Sequence, residues 1–518
     1  MSEQDGNYVL RALDVLARYG DAPAVVQDGR TVSYTELVTT TRALAAALHG
    51  SGVRAGDGVA MLMRNSPQTP AMQLALHLLG CRTLWIAAYE PERMQIEFFE
   101  FAQANALIYN PGSPRREGLA AKLAGRDPAL RVLKAGRGGD GPGPDLLAAL
   151  PAQAPPLDSL VVGDEPESLF YSGGTTGRSK LVRHGQRFYE MMMDIAEYYL
   201  SIGEPPMRFL TTSAFTHTSG QMPAFLTLFE GGTLFQETSW DPAAFLATIE
   251  RERITSTFLT PALLYKVLDH PAIHTADTSS LRYLNVGGAA ASPARLAQAI
   301  KRFGPVVRIV YGLSEVPLVA DYPFLDHDPE FPERLGSCGR PFLDTRIEVR
   351  DENGVVLPVR ETGEVWVTGS LLMSGYWQRP ELTAETMVGE WVRTGDVGYL
   401  DEDGYLYLVD RLNDMIVTAS AAANLYARPI EDVLASHPEV TAAAVIGVPD
   451  EDFGEMLYAY VVTVPGASVT AEELRTLVKT ELNAGYAPTG VEFVDALPMT
   501  PLFKVDKKAL RERAASGR

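Results

Sequence analysis

Cysteine is almost missing from this chain: Cys81 and Cys338 are its only two in 518 residues, one closing an apolar helical pattern and the other inside Gly-Ser-Cys-Gly. That spacing supports neither a disulfide framework nor a cysteine metal site. The eight histidines show no paired helical spacing and no His-Glu-x-x-His pattern, which argues against a transition-metal enzyme. No apolar run approaches a membrane span, and the opening Met-Ser-Glu-Gln-Asp-Gly lacks the basic and apolar regions of a signal peptide. A cytoplasmic location with no membrane partner is therefore expected. Positive charge is also short, with 45 Lys and Arg against 65 Asp and Glu and a formal charge of −20. A nonspecific nucleic-acid or anionic-membrane binder needs a basic face, so neither partner is expected. Apolar residues, at 46%, are in good supply, and the length exceeds what one core holds, so two or three domains are expected.

Residues 31 to 110 alternate helical and strand-like patterns. Ser33 with Glu36 forms a capping box that opens a helix ending at the glycines around Ser51. Strands follow at Val59, Thr83 and Ala106, separated by helices opened at Ser66-Pro67 and Pro91. That βαβαβ order favours a parallel sheet covered by helices. Residues 111 to 160, rich in Gly, Pro and Ala, read as a loose surface segment. Asp241-Pro242 and Ser292-Pro293 start helices in a second α/β unit over about 185 to 320, and short β-rich runs from Arg346 to Tyr407 read as a small β subdomain. Beyond Asp410 come helices from about 428 and at Thr470, the latter capped with Glu473, and strands near 442, 457 and 491. The fold class expected is α/β: a large N-terminal domain (1–410) of parallel-type α/β sheets, with its β subdomain at about 340–410. A small, mobile α+β C-terminal domain (411–518) follows.

Tyr171 to Lys180 reads Tyr-Ser-Gly-Gly-Thr-Thr-Gly-Arg-Ser-Lys. Its glycines can bend the backbone around an anion, its threonines add hydroxyl donors, and a lysine follows. Two residues separate Gly177 from Lys180, so it is not a Walker A loop, and Leu181-Val182 suggest a loop between strands. A Gly/Thr-rich linker would read similarly, so further segments must decide.

Four more segments follow in order: Tyr311-Gly-Leu-Ser-Glu315; Gly363-Glu-Val-Trp-Val-Thr-Gly with Ser374-Gly-Tyr-Trp; Trp391-Val-Arg-Thr-Gly-Asp396; and Asp410-Arg-Leu-Asn-Asp-Met-Ile with Pro498-Met-Thr-Pro-Leu-Phe-Lys504. Together with the glycine loop they resemble the adenylate-forming superfamily of acyl-CoA synthetases, peptide-synthetase adenylation domains and luciferases, across nearly the whole chain. Taken singly, Tyr311 could be a core aromatic, Asp396 a turn former and Lys504 a solvated lysine.

The resemblance implies roles. Ser172, Gly173, Gly174, Thr175, Thr176, Gly177 and Lys180 would hold the β- and γ-phosphates of ATP, and Glu315, with Thr176, would place Mg2+. Tyr311, with Gly312 and Ser314, would lie along the adenine, and Gly287, Gly288 and Ala289 would let backbone approach it. Asp396 would accept from the ribose hydroxyls with Arg411 beside it, and Lys504 would stabilise charge as pyrophosphate leaves. Phe215, His217 and Thr218 sit where the family places its acyl pocket, and with Gly287, Leu313, Val316 and Pro317 they would line a small or flat site. His217 would orient the acid or satisfy a loop hydrogen bond. The catalytic set implied is Lys504, Thr176, Glu315 and His217.

One departure bears on the second half-reaction. Asn413 stands at the hinge where thioester-forming relatives have Asp or Lys, and their Gly-Gly loop reads Val417-Thr-Ala-Ser-Ala-Ala-Ala-Asn424 here. Alanine does not adopt the positive φ that glycine allows, so the loop differs in shape. Adenylation of a small aromatic carboxylic acid with transfer to CoA is the leading expectation. An amine acceptor in an amide-forming ligase, a diazotase that activates nitrite and couples it to an aryl amine, and a silent nucleotide-binding protein remain open, as does a homodimer.

Overall fold

The computed structural model describes residues 6–88, 90–136, 138–172, 180–237, 239–322, 332–412, 416–418, 423–450, 454–500 and 504–516. Helix Tyr8–Ala17 buries Tyr8, Val9, Ala12, Leu13 and Leu16, the spacing of a helix with one apolar face. It meets helices Tyr34–Gly50, Thr69–Leu78, Gln186–Ser201 and Thr218–Phe229 in one apolar cluster. Every residue of Thr69–Leu78 is buried, so this helix is wholly interior. The cluster also takes in Met61, Trp85 and Phe170 from one sheet and Val25, Phe209 and Leu234 from another, so the helices lie between two sheets.

The first sheet carries strand Gly58–Leu62 between parallel neighbours Arg82–Trp85 and Ala106–Tyr109, as the βαβαβ pattern requires. The second runs, in order, through Val316–Tyr322, Val307–Leu313, Tyr283–Gly287, Ser256–Leu259, Arg208–Thr211, Thr233–Gln236 and Pro23–Gln27. Its parallel strands place their C-terminal ends on one edge, where ligands of open α/β sheets bind. The capping boxes at Ser33 and Thr470 form as expected.

Two sequence expectations need correction. Residues 111 to 160 are not all loose: helix Pro114–Arg126 buries Leu119, Ala120 and Leu123, and strand Arg131–Lys134 pairs in parallel with Ala106–Tyr109. The glycines and prolines after Lys134 diluted a short helical period. The helix expected at Ser66-Pro67 starts at Thr69, because the Thr69 hydroxyl accepts the Ser66 amide at 2.9 Å and holds the preceding turn.

Strands Arg346–Arg350, Gly363–Thr368, Trp391–Leu400 and Leu406–Arg411 pair antiparallel in the β subdomain. Sheet membership then changes, since strand Ile416–Thr418 pairs with Ala423–Leu425 and, at Thr418, with Gly454. The C-terminal sheet, whose longest pair is Val440–Asp450 with Gly454–Thr463, is covered by helices Ala427–Ser436 and Ala471–Glu481 over its own apolar core. Asp410 joins the units: its Oδ2 accepts the Ala427 amide at 2.7 Å, at the start of a helix where negative charge is favoured.

Between the sheets lies a polar knot that no apolar pattern announces. Gln73, His77, Thr83, Ser168 and Tyr189 are each at most 1% exposed. Gln73 donates through Nε2 to His77 Nε2 (2.8 Å) and Ser168 Oγ (2.9 Å), and its Oε1 accepts the Trp85 indole N–H at 2.6 Å. His77 Nδ1 then carries the proton, toward the Tyr8 hydroxyl at 2.8 Å. Burial pushes His77 from its ordinary 6.5 down to about 3, so it stays neutral. A depressed histidine contributes stability that is present above the unfolded value of 6.5 and lost as pH falls toward about 3. His77→Gln should cost about 1–3 kcal/mol near neutral pH by unpairing buried partners. The melting-temperature gap between wild type and variant should narrow as pH drops below 6.5, whereas a constant gap would contradict a neutral buried imidazole.

Candidate active site

Strands Glu167–Ser172 and Lys180–Gly185 pair antiparallel, with Ser172 opposite Lys180, so the glycine loop connects two strands as expected. Gly173, Gly174, Thr175, Thr176 and Gly177 lie outside the described residues. So do Asn413 and residues 419–422 of the alanine-rich segment. Lys180 lies over the Tyr376 ring at 5.2 Å, and the Tyr376 hydroxyl donates to Glu315 Oε1 at 2.7 Å. The other end of the loop is thereby tied to the loop after strand Val307–Leu313.

That loop is fixed from two sides. Gly312 lies so close to strand Val316–Tyr322 that a Cβ there would sit 2.2 Å from the Pro317 carbonyl oxygen, which makes glycine obligatory. His184, held neutral by burial at about 4, has Nε2 2.7 Å from the Ser314 carbonyl oxygen, and a neutral ring with its proton on Nε2 donates there. Next to it in the sheet, strand Tyr283–Gly287 is followed by Gly288, whose φ of +81° favours glycine.

A cluster of charges forms where the β subdomain, the sheet and the C-terminal domain meet. Tyr311 donates its hydroxyl to Asp396 Oδ2 at 2.5 Å, and Arg411 Nε lies 2.7 Å from Asp396 Oδ1. Asp396 is 4% exposed. Burial first, and then the Asp396 charge, raise the Tyr311 phenol well above its ordinary value, so it remains a donor. Lys504 belongs to the C-terminal domain, where the Thr500 amide donates to the Lys504 carbonyl at 2.7 Å. Its side chain keeps exposed surface. Its ammonium is lowered from the ordinary value by lost hydration and by Arg411, against the opposing pull of Asp396 and Glu315.

Lys504 lines one end of a cavity of about 560 Å3 with His217, Thr218, Leu313 and Ser314. Burial, and next the Lys504 charge, bring His217 down to about 4, so near neutrality it is an uncharged imidazole. A second cavity of about 520 Å3 shares Thr212, Ser213 and Ala214 with the first.

Of the residues read from the sequence as pocket, His217, Thr218, Leu313 and Pro317 line the cavity, joined by Gly288, Tyr311, Gly312 and Ser314, which were read as the adenine side, and by Lys504. Phe215, Gly287 and Val316 do not. Phe215 packs against Trp85 and Phe225 instead, and Val316, one residue from Pro317 on a strand, faces the opposite side into a core. Gly287 and Ala289 flank Gly288, which alone of the three reaches the cavity. Sequence reading gave no role to His184 or Tyr376. Tyr376 stood inside a quoted segment, while His184 carried no signal beyond lying four residues past Lys180.

Comparison with known proteins places these features in a family. A family model described as AMP-binding enzyme matches residues 13–377, and another, AMP-binding enzyme C-terminal domain, matches 429–504. The chain is 35% identical to the medium/long-chain-fatty-acid–CoA ligase FadD8 of Mycobacterium tuberculosis, over 97% of this chain and 89% of that one. It is 35% identical to a feruloyl-CoA synthase of an Amycolatopsis species, over 95% and 96%. The solved structure of the amide bond synthetase McbA from Marinactinospora thermotolerans superposes with a TM-score of 0.88 at 37% identity, covering 98% of this chain and 99% of that one.

The position of Lys504 over the cavity is testable without a ligand. Lys504→Gln removes a positive charge that depresses His217, so the His217 pKa, followed by NMR on isotopically labelled histidine, should rise from about 4. An unchanged value would mean that the C-terminal domain does not sit over the cavity.

Proposed function

The chain belongs to the AMP-binding enzyme family and is an ATP-dependent, AMP-forming ligase of the acyl-CoA synthetase kind, and we propose that it activates an organic carboxylic acid and passes the acyl group to a thiol or an amine. The observation that supports this reading best is the convergence of Lys504, Asp396, Arg411 and Glu315, from three separate parts of the chain, beside His217 at one end of the cavity.

In this reading the acid lies in the cavity with its carboxylate at Lys504. A carboxylate oxygen attacks the α-phosphorus of ATP, a new P–O bond forms, and the bond to the leaving pyrophosphate breaks. Lys504 bridges the attacking oxygen and the α-phosphate, where negative charge accumulates. His217, uncharged near neutrality, orients the carboxylate by hydrogen bonding instead of removing a proton. Asp396 has lone pairs beyond those engaged by Tyr311 and Arg411 and accepts from the ribose hydroxyls, while the Tyr311 ring lies along the adenine. Ser172, Thr175, Thr176 and Lys180 hold the outer phosphates. Glu315 suits Mg2+, a hard cation that takes oxygen ligands: it is a buried carboxylate with Oε1 held by Tyr376 and a second oxygen to offer, alongside Thr176 and phosphate. Mg2+ would neutralise charge on the departing pyrophosphate.

The acceptor would approach through the second cavity, which adjoins the first at Thr212 to Ala214. CoA is the acceptor of the two ligases named above. A second reading, with an amine as acceptor, is favoured by the loss of glycine from residues 417–424 and by the likeness to an amide bond synthetase. The size of the main cavity favours an organic acid over nitrite. Supplying ATP, Mg2+ and a panel of acids, with CoA or with amines, and weighing the products separates a thioester from an amide. No pyrophosphate from any acid would overturn the ligase reading. Lys504→Ala should slow acid-dependent pyrophosphate release by about a hundredfold or more, and an unchanged rate would remove Lys504 from the mechanism.

A further inference from the structure

The cavity is long, and three elements measure it independently. Arg308 and Leu313 both line it and stand five residues apart on one strand, about 17 Å at some 3.3 Å per residue. Tyr283, which opens the neighbouring strand Tyr283–Gly287, and Gly288, one residue past its end, both line it, a similar span. Thr218 and Glu230 bracket the twelve-residue helix Thr218–Phe229, about 18 Å at 1.5 Å per residue. Between the ends the walls are apolar, with Met222, Leu226, Phe258, Val310 and Leu318. A single-ring acid held at Lys504 would leave the far end empty.

That far end is polar, and its charges are unevenly matched. Arg308 Nε is bonded to Asp321 at 2.6 Å, and Arg282 to Glu204 at 3.1 Å, where Tyr283 also donates at 3.1 Å. Both guanidinium groups therefore have carboxylate partners. Glu230 differs. It is 3% exposed, its Oε1 accepts the Met207 amide at 2.6 Å, and among the described residues its Oε2 has no hydrogen-bond donor. It also caps the C-terminus of helix Thr218–Phe229, where the helix dipole disfavours an anion. Burial pushes its carboxyl up to about 7. A half-satisfied carboxyl on a cavity wall costs stability, and a ligand donor would offset that cost.

We propose that the acid selected by this cavity is elongated and carries, at the end remote from its carboxylate, a hydrogen-bond donor (an amine, a hydroxyl or a ring N–H) that Glu230 accepts. The inference rests on the ligase reading, because Lys504 fixes which end of the substrate is the carboxylate.

The test compares acids of equal length that reach the far end and terminate in an amino or hydroxyl group, a methyl group, or a methoxy group that accepts but does not donate. Wild-type enzyme should favour the donor-terminated acids by at least about tenfold in kcat/KM for pyrophosphate release, the usual penalty for leaving a buried polar group unpaired. Glu230→Gln keeps an oxygen for the Met207 amide, which guards the fold, and turns an N–H toward the cavity. It should shift the preference toward the methoxy-terminated acid. Equal rates across the wild-type series, or an unchanged preference in Glu230→Gln, would overturn the assignment of Glu230. Calorimetric binding of the same acids separates the two claims: discrimination in binding without pyrophosphate release would overturn the ligase reading and keep the pocket. Pyrophosphate release without discrimination would keep the ligase and overturn the pocket.

Discussion

Asp396 is a carboxylate almost wholly withdrawn from water, and what neutralises it determines how the site is assembled. Tyr311 comes from the central sheet, Asp396 from the β subdomain, and Arg411 is the last residue of strand Leu406–Arg411. A buried charge that loses a partner typically costs about 3–5 kcal/mol, so these segments are held in register by electrostatics as much as by packing. The adjoining Asp410 faces the other way, to the first turn of helix Ala427–Ser436. Two neighbouring residues thus link the Asp396 cluster to the domain that delivers Lys504.

The same economy governs the histidines. His77, His184 and His217 are all kept neutral mainly by burial, and His77 and His184 are used as fixed hydrogen-bonding rings in place of titrating ones. In the activation step no general base is required, since the acid is already a carboxylate at neutral pH. What the proposed step requires is positive charge at the α-phosphate, which in that reading Lys504 supplies, while Mg2+ held at Glu315 would neutralise charge on the departing pyrophosphate.

Legibility in the sequence followed physical scale. Local chemistry was readable: the capping boxes at Ser33 and Thr470, the βαβαβ order around Gly58–Leu62, and the motif residues Tyr311, Glu315, Asp396 and Lys504. Facing along a strand was not, because Val316 and Pro317 are adjacent in sequence yet point to opposite sides. The strand Arg131–Lys134 was hidden by the glycine and proline that follow it, and the polar knot around Gln73 is built from residues that reading for apolar periodicity passes over. The far end of the cavity escaped for a further reason. Glu230, Arg308 and Arg282 belong to three elements, and only the fold brings them to one wall.

The central claim is that a carboxylate attacks the α-phosphorus of ATP. Supplying an accepted acid with both carboxylate oxygens as oxygen-18, together with ATP, Mg2+ and acceptor, and weighing the nucleotide and phosphate products tests it directly. The account predicts AMP carrying one oxygen-18 and unlabelled pyrophosphate, because the attacking oxygen stays with phosphorus when the acyl group departs. ADP with labelled phosphate, or AMP without label, would contradict it.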